Sequence, residues 1–122
     1  MILVDSSIWI DHLRDRDDTL TSFLSRERVL VHPFVIGEVA LGNLHQREKI
    51  LSQLEKLPAA RLASIDEVAR LIERQHLYGL GLGYVDACLL ASTLFTPNAL
   101  LWTRDKRLYS AAAQIGVSAD LD

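Results

Sequence analysis

Short apolar runs alternate with amphipathic stretches along the 122-residue chain. Three aliphatic runs predict buried strands, and they begin at Ile2, Val29 and Ala99. A further short strand is expected over 61–63, and Val117 begins a candidate edge strand. Strands that alternate with helices indicate an α/β fold, with a short, mainly parallel central sheet covered on both faces in three α/β/α layers.

Capping and breaking residues delimit the predicted helices. Pro33 suits a first helical turn, and Pro58 ends an amphipathic stretch. Ser64 and Glu67 match a capping box, which gives the acidic residues there a structural explanation. In chain order, helices are expected around 8–13, 20–24, 34–44, 47–57, 68–72, 84–95 and 105–115.

The chain has 16 acidic residues, and only their positions in the sequence can indicate which of them have a chemical role. Asp5 and Asp105 each follow an apolar strand. Ligands of open parallel sheets bind in the crevice at the carboxyl ends of the strands, so both residues are candidates for a site there. Either residue could equally be a helix N-cap, because Asp is among the favoured N-cap types.

Glu38 and Asp86 lie on predicted helices whose residues three and four positions away are apolar or small. Glu38 is therefore expected to face the core side, with no Lys or Arg within one helical turn. An ionised carboxylate there needs a cation, a basic partner or a raised pKa. For Asp86 the helix N-terminus offers some compensation, and a structural role stays open.

These two acids and the two strand-end acids could converge on one crevice, where four like charges require cations. Carboxylate ligation suits Mg²⁺ and Mn²⁺, which commonly assist phosphoryl chemistry. Ser6 and Thr103 could orient the carboxylates or a bound water, and helix capping explains them nearly as well. Basic residues near the mouth of the crevice could contact phosphates of a nucleic acid, although solvated loop charges are the simpler explanation: Arg14, Arg16, Arg104, Lys106 and Arg107.

Composition narrows the class of protein. One cysteine, Cys88, permits no intrachain disulfide and no Cys-based zinc site. The net charge of −3 argues against a domain that grips nucleic acid by bulk positive charge. The opening apolar run reaches Asp5 at once, so no signal segment is expected, and no uncharged run is long enough to span a bilayer. We therefore expect one cytoplasmic domain over 1–122 with no membrane association.

Four segments, in this order, resemble the PIN domain and especially its bacterial VapC toxin branch. The segment 2–7 resembles the family's first strand and first acid, and 36–39 resembles its helical glutamate. The segment 84–87 is similar to the third acidic position, and 101–108 to the final segment with its Thr and fourth acid. Each motif is weak alone, but the ordered set covers almost the whole chain and is specific.

The resemblance implies a PIN-like three-layer fold and a toxin endoribonuclease that uses Mg²⁺ or Mn²⁺ at Asp5, Glu38, Asp86 and Asp105. It also implies RNA products with a 5′-phosphate and a 3′-hydroxyl, transfer or ribosomal RNA as the usual substrate, homodimers, and a small antitoxin that blocks the groove. The alternatives are a housekeeping RNA-processing nuclease, a receiver-like signalling domain and a non-catalytic binding module. The segment 61–65 offers no phosphoacceptor Asp, which disfavours a receiver.

Overall fold

A computed structural model describes all 122 residues, and its centre is a parallel sheet of three strands in the order β2-β1-β3. The strands are β1 (Ile2–Val4), β2 (Val29–Leu30) and β3 (Leu100–Trp102). Ile2 lies opposite Val29 on one side and opposite Leu100 on the other. The carboxyl end of β1 is therefore flanked by the carboxyl ends of both neighbours, which is the edge of a parallel sheet where ligands bind.

Seven helices cover the sheet and complete the predicted three-layer α/β/α arrangement. They are α1 (Ser6–Arg14), α2 (Asp18–Ser25), α3 (Pro33–Ala40), α4 (Arg47–Glu55), α5 (Ile65–Arg74), α6 (Tyr84–Phe95) and α7 (Lys106–Gln114). None of them is both long enough and apolar enough to cross a lipid bilayer. Pro33 occupies the start of α3, and the Ser64–Glu67 capping box at α5 is present, as predicted.

The core is built from the central strand and the apolar helix α6. Leu3 and Val4 are fully buried, as are Leu89 and Leu90 of α6. Burying an aliphatic side chain of this size contributes roughly 1.5–3 kcal/mol relative to exposure. Cys88 is buried in the same helix, which agrees with its predicted role as a small core residue. The packed centre holds the strand ends, and hence the crevice, in fixed positions.

Two predicted strands do not form. In place of a strand over 61–63, Val31 makes a single bridge with Ala59, and the Arg61 amide donates to Thr96 Oγ1 at 2.9 Å. An amide bonded to a side chain cannot extend a ladder, so the chain leaves the sheet. The edge strand expected from Val117 is likewise only one bridge, between Leu101 and Ser118.

Helix α3 ends at Ala40, four residues before the predicted end at Leu44. The guanidinium of Arg47 donates hydrogen bonds to the carbonyl oxygens of Ala40 and Gly42. These bonds satisfy carbonyl groups that a helix end leaves without partners, so the helix stops there. The early end separates α3 from α4.

Candidate active site

Asp5 lies at the carboxyl end of β1 and is 5% exposed. Its Oδ2 accepts hydrogen bonds from Ser7 Oγ at 2.8 Å and from Thr103 Oγ1 at 2.7 Å. Asp5 occupies the N-cap position of α1, as one of the two interpretations predicted, but its side chain makes no capping hydrogen bond. The carboxylate is instead held by two hydroxyl groups, and Oδ1 takes part in no hydrogen bond within the protein.

Two hydroxyl groups join the β1–α1 turn to the β3–α7 loop. Thr103 Oγ1 donates to Asp5 and accepts from the Asp105 amide at 3.0 Å. Ser7 Oγ accepts from the Arg104 amide at 3.1 Å. The predicted orienting role of Thr103 therefore has a structural basis. The second hydroxyl belongs to Ser7, a residue that sequence reasoning missed.

Asp105 is the N-cap of α7. Its Oδ1 accepts from the Arg107 amide at 2.9 Å and from the Leu108 amide at 3.0 Å. Here the capping interpretation is correct. Capping occupies one carboxylate oxygen and leaves the exposed Oδ2 able to bind a ligand, so the two roles are compatible.

Asp86 lies in the first turn of α6 and is partly buried. Its Oδ2 accepts from the Gly83 amide at 3.0 Å. Partial burial raises the pKa of Asp86, and the negative charges of Asp105 and Asp5 raise it further, although the Gly83 hydrogen bond opposes the shift. The N-terminus of α6 therefore offsets only part of the energetic cost of holding the charged Asp86 carboxylate there.

Glu38 is exposed, so the expectation that it faces the core is wrong. The core-facing residues of α3 are Val35 and Val39, which are each 1% exposed. Desolvation nevertheless raises the pKa of Glu38, the Ser6 hydroxyl lowers it, and the charges of Asp5 and Asp86 raise it again. The exposed fraction describes the whole residue, whereas the pKa describes the carboxyl group, which responds to Ser6, Asp5 and Asp86.

The four carboxylates share one electrostatic environment and have no basic partner. Repulsion links Asp5 with Glu38, Asp5 with Asp86, and Asp86 with Asp105. Every ion pair in the protein involves other acids. A cavity of about 570 Å³ lined by Thr103 and the C-terminal residues contains none of the four acids.

The donor set fits a hard divalent cation. Carboxylate oxygens are the ligands that Mg²⁺ and Mn²⁺ prefer, and uncompensated charge is what a cation would relieve. As the side chains stand, no three His, Cys, Asp or Glu residues are grouped closely enough to hold an ion. Binding a metal therefore requires side-chain movement that draws these carboxylates together.

The five predicted basic residues separate into two groups. Arg104 forms ion pairs with three carboxylates, and Arg16 lies 3.8 Å from Asp18. The guanidinium of Arg104 is thus occupied by carboxylates, whereas the exposed pair of Arg16 leaves that side chain open to solvent. The side chains of the others form no ion pair and no hydrogen bond: Arg14, Lys106 and Arg107.

Comparison with known proteins identifies the family. The family model of the PIN domain matches residues 2–114, nearly the whole chain. The protein belongs to the PIN domain family. Two curated relatives of this PIN domain, both named Ribonuclease VapC32, come from Mycobacterium tuberculosis strains CDC 1551 / Oshkosh and ATCC 25618 / H37Rv. Each is 48% identical over 118 residues, which cover 97% of this chain and 95% of the relative. The resemblance to the VapC branch is thereby confirmed.

Proposed function

We propose that this PIN domain is a toxin endoribonuclease of the VapC type, which hydrolyses phosphodiester bonds in RNA with the help of Mg²⁺ or Mn²⁺. The observation that carries the proposal is the set of four carboxylates without basic partners at the carboxyl end of the sheet. The names of the two relatives support ribonuclease activity. A receiver would need a phosphoacceptor Asp that the segment 61–65 does not offer, and a silent binding module has no use for such a charge cluster.

Asp5, Glu38, Asp86 and Asp105 are the residues that would hold the metal. When bound, divalent ions supply activation of water and stabilisation of the leaving oxygen in an in-line displacement. Thr103 and Ser7 keep the Asp5 carboxylate in place through its Oδ2. Cleavage of this kind leaves a 5′-phosphate and a 3′-hydroxyl.

The proposal includes partners. The substrate is a structured RNA, of the transfer or ribosomal class, which is cut at few sites. The protein acts as a homodimer in the cytoplasm, and a small antitoxin neutralises it. Mapping of 5′ ends in cells that express the protein identifies the RNA, and random degradation everywhere would contradict a site-selective toxin.

The decisive experiment is cleavage of end-labelled RNA by the purified protein with Mg²⁺, with Mn²⁺ and with excess EDTA. We expect cleavage with either metal and none with EDTA. Loss of a residue that merely supports a metal ligand commonly costs about 10- to 100-fold, so Asp5→Asn should lose at least about 100-fold. Asp66→Asn, an exposed acid in the first turn of α5, is the matched control and should remain active. Undiminished cleavage in EDTA, or by Asp5→Asn, would overturn the proposal.

A further inference from the structure

The side chain of Arg107 fills the space beside Gly81 in which a Cβ atom would lie. Gly81 lies in the segment that leads to α6, and its φ is +78°. A Cβ atom placed on Gly81 would lie 2.6 Å from Arg107 Nη1, 3.0 Å from Cζ and 3.2 Å from Cδ. Any other residue at position 81 would therefore collide with the arginine as well as strain the backbone. Arg107 occupies the space that the missing side chain leaves.

The N–H donors of the Arg107 guanidinium have no hydrogen-bond acceptor within the protein. It forms no ion pair and no hydrogen bond, in contrast to Arg104, which contacts three carboxylates. An arginine side chain has many rotamers, and it loses part of this freedom when it binds a ligand. Contact with Gly81 already restricts the stem, so less freedom remains to be lost. Arg107 is therefore a cation in a restricted position, and the N–H groups of its guanidinium are free to donate hydrogen bonds.

Arg107 also lies where a substrate backbone needs a positive charge. Its own amide donates to the Asp105 carboxylate, and Gly81 precedes the helix that carries Asp86 by three residues. A shallow depression of about 230 Å³ is lined by Arg107 together with Lys106 and Ser110. A polyanion that approaches an acidic crevice is repelled, and a fixed cation beside the crevice offsets that repulsion.

We propose that Arg107, seated on Gly81, is a substrate-binding residue that holds a backbone phosphate of RNA beside the scissile bond, with Lys106 and Ser110 completing the depression. The inference rests on the proposed function for the identity of the substrate. A planar guanidinium with a free fork suits bidentate contact with phosphate oxygens, which position a nucleic acid without reading its sequence.

The test is binding of a fluorescently labelled RNA in EDTA, where proposed cleavage is off, across a range of salt concentrations. For Arg107→Ala we expect Kd to rise on the order of 10-fold and the salt slope to fall by about 0.7–0.9. Arg107→Lys should keep the salt slope and recover only part of the affinity, because a lysine lacks the planar fork. The exposed Arg74→Ala on α5 is the matched control and should match the parent.

The variant Gly81→Ala tests separately whether the placement of the Arg107 side chain beside Gly81 matters for RNA binding. The new methyl group must displace the guanidinium while the charge stays, so RNA binding should weaken with little change in salt slope. Thermal melts with and without Mn²⁺ should show the same metal-linked stabilisation for the parent and Arg107→Ala, since Arg107 is not a proposed metal ligand. Should Gly81→Ala fail to fold, the Arg107 variants still decide the question.

The outcomes separate this inference from the proposed function. An Arg107→Ala protein with the Kd and salt slope of Arg74→Ala overturns the inference, even when the parent cleaves RNA. Loss of binding to a protein partner with unchanged RNA binding overturns it too. Weakened RNA binding by Arg107→Ala in a protein that never cleaves RNA supports the phosphate site and contradicts only the nuclease.

Discussion

Asp86 has a raised pKa, and that shift links the stability of the metal-free protein to pH. The folded state holds the Asp86 proton more tightly than the unfolded state does, chiefly because the carboxyl group is partly desolvated. Stability is therefore lost as the pH rises from the ordinary carboxyl range through the raised pKa, and it stays lower above that value. Glu38 contributes in the same direction.

Asp86→Asn should therefore leave the metal-free protein at least as stable as the parent at neutral pH, with a melting temperature on the order of 2 °C higher. The amide oxygen can still accept from the Gly83 amide, so the helix start is kept. The advantage should vanish at pH values below about 4, where the parent carboxyl is protonated as well. Thermal melts in EDTA across this pH range measure the effect.

Saturating Mn²⁺ should reverse the order, since the parent gains stability from metal binding while the variant gains little. RNA cleavage by Asp86→Asn should fall at least about 100-fold, by the same reasoning as for Asp5. A purely structural Asp86 gives the opposite result: an active variant that is slightly less stable with or without the metal.

For single residues, the sequence indicated which side chains belong to the candidate site better than it indicated which groups they contact. Asp5 and Asp105 look alike in the sequence, since each follows an apolar strand, yet only the side chain of Asp105 caps its helix. One of the two hydroxyl groups that hold the Asp5 side chain belongs to Thr103, 98 positions along the chain. No local pattern contains that information. Neighbours along α3 likewise could not show that solvent reaches Glu38, because exposure depends on the elements packed around the helix.

Among the connections between elements, Arg104 joins three separate parts of the chain. Its guanidinium contacts Asp11 of α1 at 3.0 Å, the α2 N-cap Asp17 at 2.6 Å, and Asp122 at 3.2 Å. It also lies 5.5 Å from the ring centroid of Trp102. The loop that carries Thr103 and Asp105 is thus fastened to two helices and to the C-terminal residues.

Arg104→Ala should destabilise the protein by about 1–2 kcal/mol, because three partly exposed pairs are each worth up to about 1 kcal/mol and do not add fully. The hydrogen bond from Arg104 is the main reason that the pKa of Asp17 is lowered. That stabilisation is present above the ordinary carboxyl pKa and is lost as the pH falls through the lowered pKa. The deficit of the variant should therefore shrink in acid and in high salt.

Urea unfolding at neutral pH, at pH 3 and in 1 M salt measures this dependence. Arg74→Ala, which removes an arginine without an ion pair, should differ little from the parent under every condition. A deficit of Arg104→Ala that is independent of both pH and salt would mean that packing on Trp102, rather than charge, accounts for the effect.

The periodicity of apolar residues predicted which segments form helices and which form strands. It did not predict how far the sheet extends at its edges. The three strands and all seven helices lie where apolar spacing predicts them. The error at 61–63 arose because β-pairing depends on which groups meet each amide, and Thr96 takes the Arg61 amide. Likewise, the end of α3 is set by Arg47, a residue beyond the helix whose side chain folds back onto it.

For the molecule as a whole, the crevice is a concentrated negative patch that a cationic partner can neutralise. A groove of about 560 Å³ between α1, α3 and α4 is lined by apolar residues that include Ile10, Val39 and Leu44. We expect the antitoxin to lay a C-terminal peptide over apolar surface and to place an Arg or Lys among the four acids. A positive side chain there takes the place of metal charge.

The purified complex should therefore cleave RNA poorly, and the inhibition should be competitive with Mn²⁺ or with RNA. Replacing the inserted basic residue of the partner by Ala should restore cleavage while the apolar contacts keep much of the binding. Titrations of cleavage against Mn²⁺, with and without the partner, measure this competition. A partner that binds tightly but leaves Mn²⁺ affinity and cleavage unchanged would contradict the idea.

The parallel pairing of β1 with β3 also determines when the crevice can exist during synthesis. Strand β1 is translated first, and its pairing with β3 needs residues about a hundred positions later. Contacts so distant in sequence form late in folding, after the intervening chain has been ordered. Thr103 and Asp105 belong to that late segment, so a nascent chain that stops before Leu100 lacks both the Thr103 hydroxyl that donates to Asp5 and one of the four acids. With the proposed nuclease activity, a growing chain is therefore expected to spare nearby RNA until β3 and the start of α7 have been made.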